Sequence, residues 1–164
     1  MDRISEAFVH RAIRQYFAAH GWMLVAGQRP GGSDDDLHVL YIMDPAVAKD
    51  GSPDPRRHSS DKFVPDLVCI KGNELAIIEA KPTYSQTDVA KLARLTTERV
   101  LHLNQALRTF GRERGFDALL NSERLHVRPG LAFGAASSHP QLPPEWIILL
   151  VHSDGDVKSV GGAL

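Results

Sequence analysis

The sequence has almost no cysteine, no long apolar run and no excess of charge of either sign. Cys69 is the one cysteine among 164 residues, which excludes an intramolecular disulfide and a cysteine-built zinc cluster. The longest purely aliphatic stretch, Ile147 to Val151, is far too short to cross a bilayer. The start at Met1, Asp2 and Arg3 lacks a signal-peptide pattern. With 19 Lys and Arg against 20 Asp and Glu, the formal net charge is −1. That excludes a histone-like basic chain and an acidic disordered tail. The eight histidines never fall in His-x-His or His-Glu-x-x-His spacing, so a zinc hydrolase is not indicated, and no phosphate-binding loop of the Gly-x-x-x-x-Gly-Lys-Ser/Thr type occurs. What is present is 43% hydrophobic residues, enough for one core. The expectation is a soluble, cytoplasmic, single-domain chain over residues 1–164, without membrane contact.

The apolar periodicity predicts a helix from about Arg3 to His20, capped by Asp2 or Ser5 and closed by Gly21. Its stripe is Ile4, Phe8, Ala12, Ile13, Tyr16 and Phe17, with Glu6, His10, Arg11 and Arg14 standing off it. Trp22–Val25 and Leu37–Met43 read as short strands. The acids Asp34, Asp35 and Asp36 between them read as a hydrated loop. The stretch from Asp44 to Asp61 is polar and irregular, of a length that often carries function. Phe63–Lys71 reads as a strand, Gly72 and Asn73 as a two-residue turn, and Glu74–Lys81 as the returning strand. One long helix is expected from Ser85 to Gly111 or Gly115, with Ser85 and Asp88 as its capping signature. Its stripe is Val89, Leu92, Thr96, Val100, Leu103, Leu107 and Phe110. Strands are expected at Leu125–Phe133, Trp146–His152 and Val157–Val160. The order predicts an α/β fold, a central mixed β-sheet flanked by helices.

The hairpin carries the chemistry. With Gly72 and Asn73 as the turn, Lys71 faces Glu74, and counting outward puts Asp66 directly opposite Glu79. Opposed side chains have Cβ atoms ~4.5–5.5 Å apart, where like charges destabilise a sheet. Lys81, two residues past Glu79, projects from the same face. Two acids and an ammonium so placed suit a hard cation such as Mg²⁺, which takes carboxylate oxygens, waters and substrate phosphate. The competing reading is a structural ion pair. Against it, Leu75, Ala76, Ile77 and Ile78 make the strand too apolar to face solvent, so Glu79 and Lys81 need partners.

Pro65 and Asp66, twelve residues, then Glu79, Ala80 and Lys81: this pattern resembles the PD-(D/E)xK nuclease superfamily, with its restriction-endonuclease-like fold. The resemblance spans about Ser5 to Leu107. It implies that Asp66 and Glu79 bind Mg²⁺ (with Mn²⁺ able to substitute), that the Ala80 carbonyl adds a ligand, and that Lys81 orients the attacking water. It further implies a glutamate from the first helix beside the metal. Glu6 is that candidate, and an i,i+4 pair with His10 explains it equally well. The implied activity is a metal-dependent endodeoxyribonuclease, leaving 5′-phosphate and 3′-hydroxyl ends, acting as a homodimer or with a partner subunit. Restriction, defence, transposition or recombination would all suit it. No Gln-x-x-x-Tyr helix motif follows Lys81, which argues against the recombination-exonuclease branch. Cleavage of RNA is a lesser alternative, since such a site does not read the sugar.

Candidate DNA contacts are Arg56, Arg57, His58 and Lys62 before the hairpin, and Gln86 and Lys91 after it. Capping and solvent exposure explain Gln86 and Lys91 equally well. A basic side formed by Lys91, Arg94, Arg99 and Arg108 reads as a solvated face. Near-zero charge sits awkwardly with DNA binding, which rests on phosphate neutralisation. The alternative function is therefore a non-cutting DNA-binding or assembly subunit of a larger complex.

Overall fold

The computed structural model describes residues 4–30, 32–33, 37–44 and 62–160. Helix α1 (Glu6–Ala19) is capped by Ser5, whose hydroxyl accepts from the Phe8 amide, and Gly21 leaves it at φ 83°. Ser5 is thus the cap, in preference to Asp2. The strands are β1 (Met23–Arg29), β2 (Gly32–Ser33), β3 (Ile42–Met43), β4 (Lys62–Phe63), β5 (Leu67–Lys71), β6 (Glu74–Ala80), β7 (His126–Gly134), β8 (Ile147–Val151) and β9 (Val157–Val160). Between β6 and β7 lie α2 (Gln86–Thr96), α3 (Val100–Arg114) and a 3-10 segment at Asp117–Arg124.

The main sheet has the order β2-β1-β5-β6-β7-β8-β9. Pairing is parallel for β6 with β7 and β7 with β8, and antiparallel elsewhere. It is a mixed sheet with helices on both faces, as the α/β expectation required. Alternation along β6 divides the core. Leu75 and Ile77 join Leu92, Leu95, Leu103, Leu107 and Trp146 on the α2/α3 face. Ala76, Ile78 and Ala80 join Val9, Ile13, Phe17 and Trp22 on the α1 face.

Several boundaries differ from the sequence reading. The strand expected at Phe63–Lys71 is broken by Pro65, which has no amide for a ladder. Lys62 and Phe63 instead pair with β3 in a separate two-stranded ribbon. Leu37–Met43 is not a strand along its length: it touches β1 through the Gly27 amide and the His38 carbonyl (3.0 Å), and only Ile42 and Met43 enter β3. The single long helix is two. Thr97–Arg99 separates them, with Thr97 at φ −122° and ψ −79°, while the apolar spacing runs on across the break. The first strand extends to Arg29, beyond the expected Val25.

Gly130 lies closely against the strands on both sides of it. A Cβ there would lie 2.6 Å from Ile78 Cδ1 and 2.7 Å from both Ile147 Cβ and the Ile147 carbonyl. Backbone cannot retreat as a side-chain tip can, so Gly130→Ala should lower stability by about 1–3 kcal/mol. Equilibrium urea unfolding checks this, and an unchanged midpoint would show that β7 and β8 can move apart.

Candidate metal centre

The β5–β6 register pairs Lys71 with Glu74 and Leu67 with Ile78, so the next step outward sets Asp66 against Glu79 as the turn requires. Ladder pairing ends there, and the Asp66 side chain takes over: its Oδ2 accepts from the Ala80 amide at 2.8 Å. The Asp66 carbonyl is held by the Gln28 amide at 3.0 Å and by Arg14 Nη2 at 3.3 Å. The next amide, just past β6, turns the other way, Lys81 donating to the Ala132 carbonyl at 3.0 Å. Backbone groups of one strand residue point to one side, so the Ala80 carbonyl shares the Asp66 side with its amide.

Glu79 is buried, 6% exposed, and its Oε1 has no hydrogen-bond partner. Burial drives its pKa well above the usual carboxylate range, and the Asp66 and Asp88 charges push it further; Lys81 opposes them. Burial likewise pushes Asp66 up to about 6, against the Glu79 hydrogen bond, the Ala80 amide and Lys81. Each acid feels the other's charge, so the pair resists carrying two charges at once. A buried Glu79 with one oxygen unsatisfied, a part-exposed Asp66 across from it, and a lysine and a backbone carbonyl beside them make an oxygen-rich donor set that fits Mg²⁺ or Mn²⁺.

Helix α1 brings two more groups. His10 Nε2 lies 3.8 Å from Glu6 Oε1 and 3.9 Å from Asp66 Oδ2. One ligand atom from each of the three falls within 4.8 Å of the others. Glu6 is therefore placed beside the acid pair and also forms the i,i+4 approach to His10. His10 itself is buried, contrary to the expectation that it stands off the helix stripe. Its position three residues before Ile13 and seven before Phe17 was the available signal. Arg14 Nη1 contacts His10 Nδ1 at 3.1 Å. A guanidinium only donates, so Nδ1 is the acceptor and the ring proton sits on Nε2, toward the acids. In that tautomer His10 offers Asp66 and Glu6 an N–H, not a lone pair for a metal.

Asp88 is a second residue that sequence reading passed over, as part of a helix cap. Ser85 Oγ does accept from the Asp88 amide at 3.2 Å, but the Asp88 side chain is buried and its Oδ2 has no partner.

The proposed DNA contacts fare unevenly. Arg56, Arg57 and His58 lie outside the described residues, as do Asp34, Asp35 and Asp36. Lys62 sits over the Tyr41 ring, 5.4 Å from its centroid, in the β3–β4 ribbon. Gln86 is exposed and accepts from the Tyr84 hydroxyl at 2.7 Å. Lys91 is buried, so it is not on a solvated face. Arg94 and Arg99 are turned to the buried Asp44 carboxylate, at 3.2 and 3.9 Å, and Arg108 to Glu123 at 3.4 Å. The expected basic face of one long helix is thus largely spent on internal pairing.

No family model, curated protein or solved structure matches this chain. Among the described residues, no helix is long and apolar enough to cross a membrane.

Proposed function

We propose that the protein is a divalent-metal-dependent endodeoxyribonuclease of the PD-(D/E)xK type, with a restriction-endonuclease-like fold. The observation that carries this reading is Asp66 set against Glu79, with Glu79 buried and one of its oxygens left unsatisfied, two residues before Lys81. Asp66, Glu79 and the Ala80 carbonyl would hold Mg²⁺, with Mn²⁺ as a substitute. When bound, the ion neutralises charge on the phosphodiester and makes water more acidic.

The chain's own groups account for the rest. The Ala80 amide and Arg14 fix the Asp66 side chain and backbone, so the donor set is held before substrate arrives. Lys81 supplies a positive charge beside the site, placed to orient a water and to offset negative charge as the phosphorus is attacked. His10, its Nδ1 contacted by Arg14, brings its Nε2 to 3.8 Å from Glu6 and 3.9 Å from Asp66. DNA is favoured over RNA by the resemblance alone.

The test is cleavage of supercoiled plasmid, linear duplex, single strand and a four-way junction, in Mg²⁺, Mn²⁺ or EDTA. Asp66→Ala and Lys81→Ala should each lower metal-dependent cutting by on the order of 10²–10³. Cutting that survives both substitutions would defeat the proposal. A second reading, an assembly subunit that does not cut, is favoured by Arg94 on α2 and Arg99 just before α3, both turned to Asp44, and by the net charge of −1. Absence of cutting on all four substrates, with a stable hetero-complex, would select it.

A further inference from the structure

A cavity of about 980 Å³ opens at the sheet end that carries the acids, with Ile4, Pro82 and Val151 in its walls. Pro82 follows Lys81 in the chain, and Ile4 precedes Glu6 by two residues. Consecutive Cα atoms are ~3.8 Å apart. One wall therefore begins beside Lys81 and another beside the group of Glu6, His10 and Asp66. The sheet runs on beneath it: the Gly134 amide donates to the Pro82 carbonyl and the Ala135 amide to the Val151 carbonyl, both at 2.9 Å. A Cβ on Gly134 would lie 2.8 Å from the Pro82 carbonyl oxygen and 3.2 Å from Ile4 Cδ1. Glycine thus lets the segments before α1, after β6 and at the end of β7 meet here. The cavity lies at the carboxyl ends of β6, β7 and β8, which run parallel. Open α/β sheets receive their ligands at such ends.

The volume is at the upper end for a pocket that encloses an organic ligand, and one nucleotide fits within it. Among the described residues that line it there is no lysine, arginine or acid. Small and apolar side chains alternate with the hydroxyls of Thr83, Ser137 and Ser153 and the His152 ring. Such a lining does not neutralise phosphate. It suits a nucleobase, whose faces take apolar contact and whose edges take hydrogen bonds. Arg94, Arg99 and Arg108 are turned to Asp44 and Glu123, so they do not supply the phosphate neutralisation on which duplex affinity rests. A base within a duplex is covered by its neighbours and its partner. Only an unpaired or extruded nucleotide enters a cavity.

We propose that this cavity takes an unpaired nucleotide of the strand being cut, so that the substrate is DNA with unpaired bases at the cleavage point, in preference to intact duplex. This rests on the nuclease reading and narrows its substrate class. The nucleotide held in the cavity brings its adjoining phosphate to Asp66, Glu79 and Lys81. Intact duplex must first give up pairing and stacking, which lowers its rate.

The experiment compares cleavage, in Mg²⁺, of a short duplex and of the same duplex with a run of unpaired nucleotides at its centre. The wild type should cut the second roughly tenfold faster or more. Ala136→Trp, at an exposed position in the wall, fills the cavity with an indole and should bring the two rates close together. Ser153→Trp does the same from the segment after β8, and circular dichroism with a melting curve checks that each variant is folded. Equal rates on the two substrates in the wild type would overturn the assignment and leave the nuclease reading intact. A preference that survives both tryptophans, or a fall of the same size on both substrates, would also overturn it. No cutting of either substrate by the wild type would overturn it together with the nuclease reading.

Discussion

Glu79→Gln should make the metal-free protein more stable and, in the same molecule, remove its metal-dependent cutting. At pH 7.5 an unfolded chain ionises both acids, whereas the folded chain must either keep a proton or bury two charges in contact. Each unit by which a buried acid's pKa is raised costs about 1.4 kcal/mol above that pKa. Glutamine keeps the shape of Glu79 without its charge. A higher melting temperature for the variant should follow, by a few degrees for a chain of this size. Cleavage should fall by on the order of 10²–10³.

The sign with pH is set by the same groups. Asp66 and Glu79 both have folded pKa values above their unfolded ones. The native state therefore binds more protons, and stability falls as pH rises from about 4 through 6. The advantage of Glu79→Gln should be small near pH 4.5 and grow toward pH 7.5. Mg²⁺ should raise the wild-type melting temperature at pH 7.5, with little effect on the variant. Melting curves at the two pH values, with Mg²⁺ or EDTA, decide the matter. A variant less stable than wild type at pH 7.5 would show that Glu79 is satisfied within the fold and is no cation ligand.

Asp44→Ala should have the largest effect away from the site. Asp44 is fully buried, and Arg94 reaches its Oδ2 through both Nε and Nη2 at 3.2 Å. Arg99 approaches Oδ1 at 3.9 Å. One carboxylate thus joins the end of β3 to the last turn of α2 and to the break before α3. Deleting one partner of a buried pair typically costs ~3–5 kcal/mol. The arginines keep some access to water, which reduces the loss to about 2–4 kcal/mol. Urea unfolding should show it, with Asp44→Asn falling between the two. A change below ~0.5 kcal/mol would mean that the helix break is held by packing alone.

The hairpin was legible because its turn is short: Gly72 and Asn73 leave one register, and that register sets Asp66 against Glu79. Gly72 adopts φ 60°, as such a turn needs. The break between α2 and α3 was hidden because its cause is not in the apolar spacing, which runs unchanged from Leu92 and Leu95 to Leu103 and Leu107. Arg94 and Arg99 looked like a solvated face because their partner, Asp44, is 50 residues from Arg94 in sequence. His10 and Asp88 were passed over for a related reason. Each has a sufficient local explanation, an i,i+4 pair or a helix cap, and only the packed layers show that both side chains are buried.

The division of the core by the sheet gives the molecule a built-in pair of optical reporters. Trp22 belongs to the α1 layer and Trp146 to the α2/α3 layer, and the chain has no third tryptophan. Replacing either by phenylalanine leaves the emission of the other, so each side of the sheet can be watched melting by itself. Coincident transitions would mean that β6, whose residues enter both layers, transmits the loss of one to the other. Separate transitions would identify the layer that loosens first beside the acids.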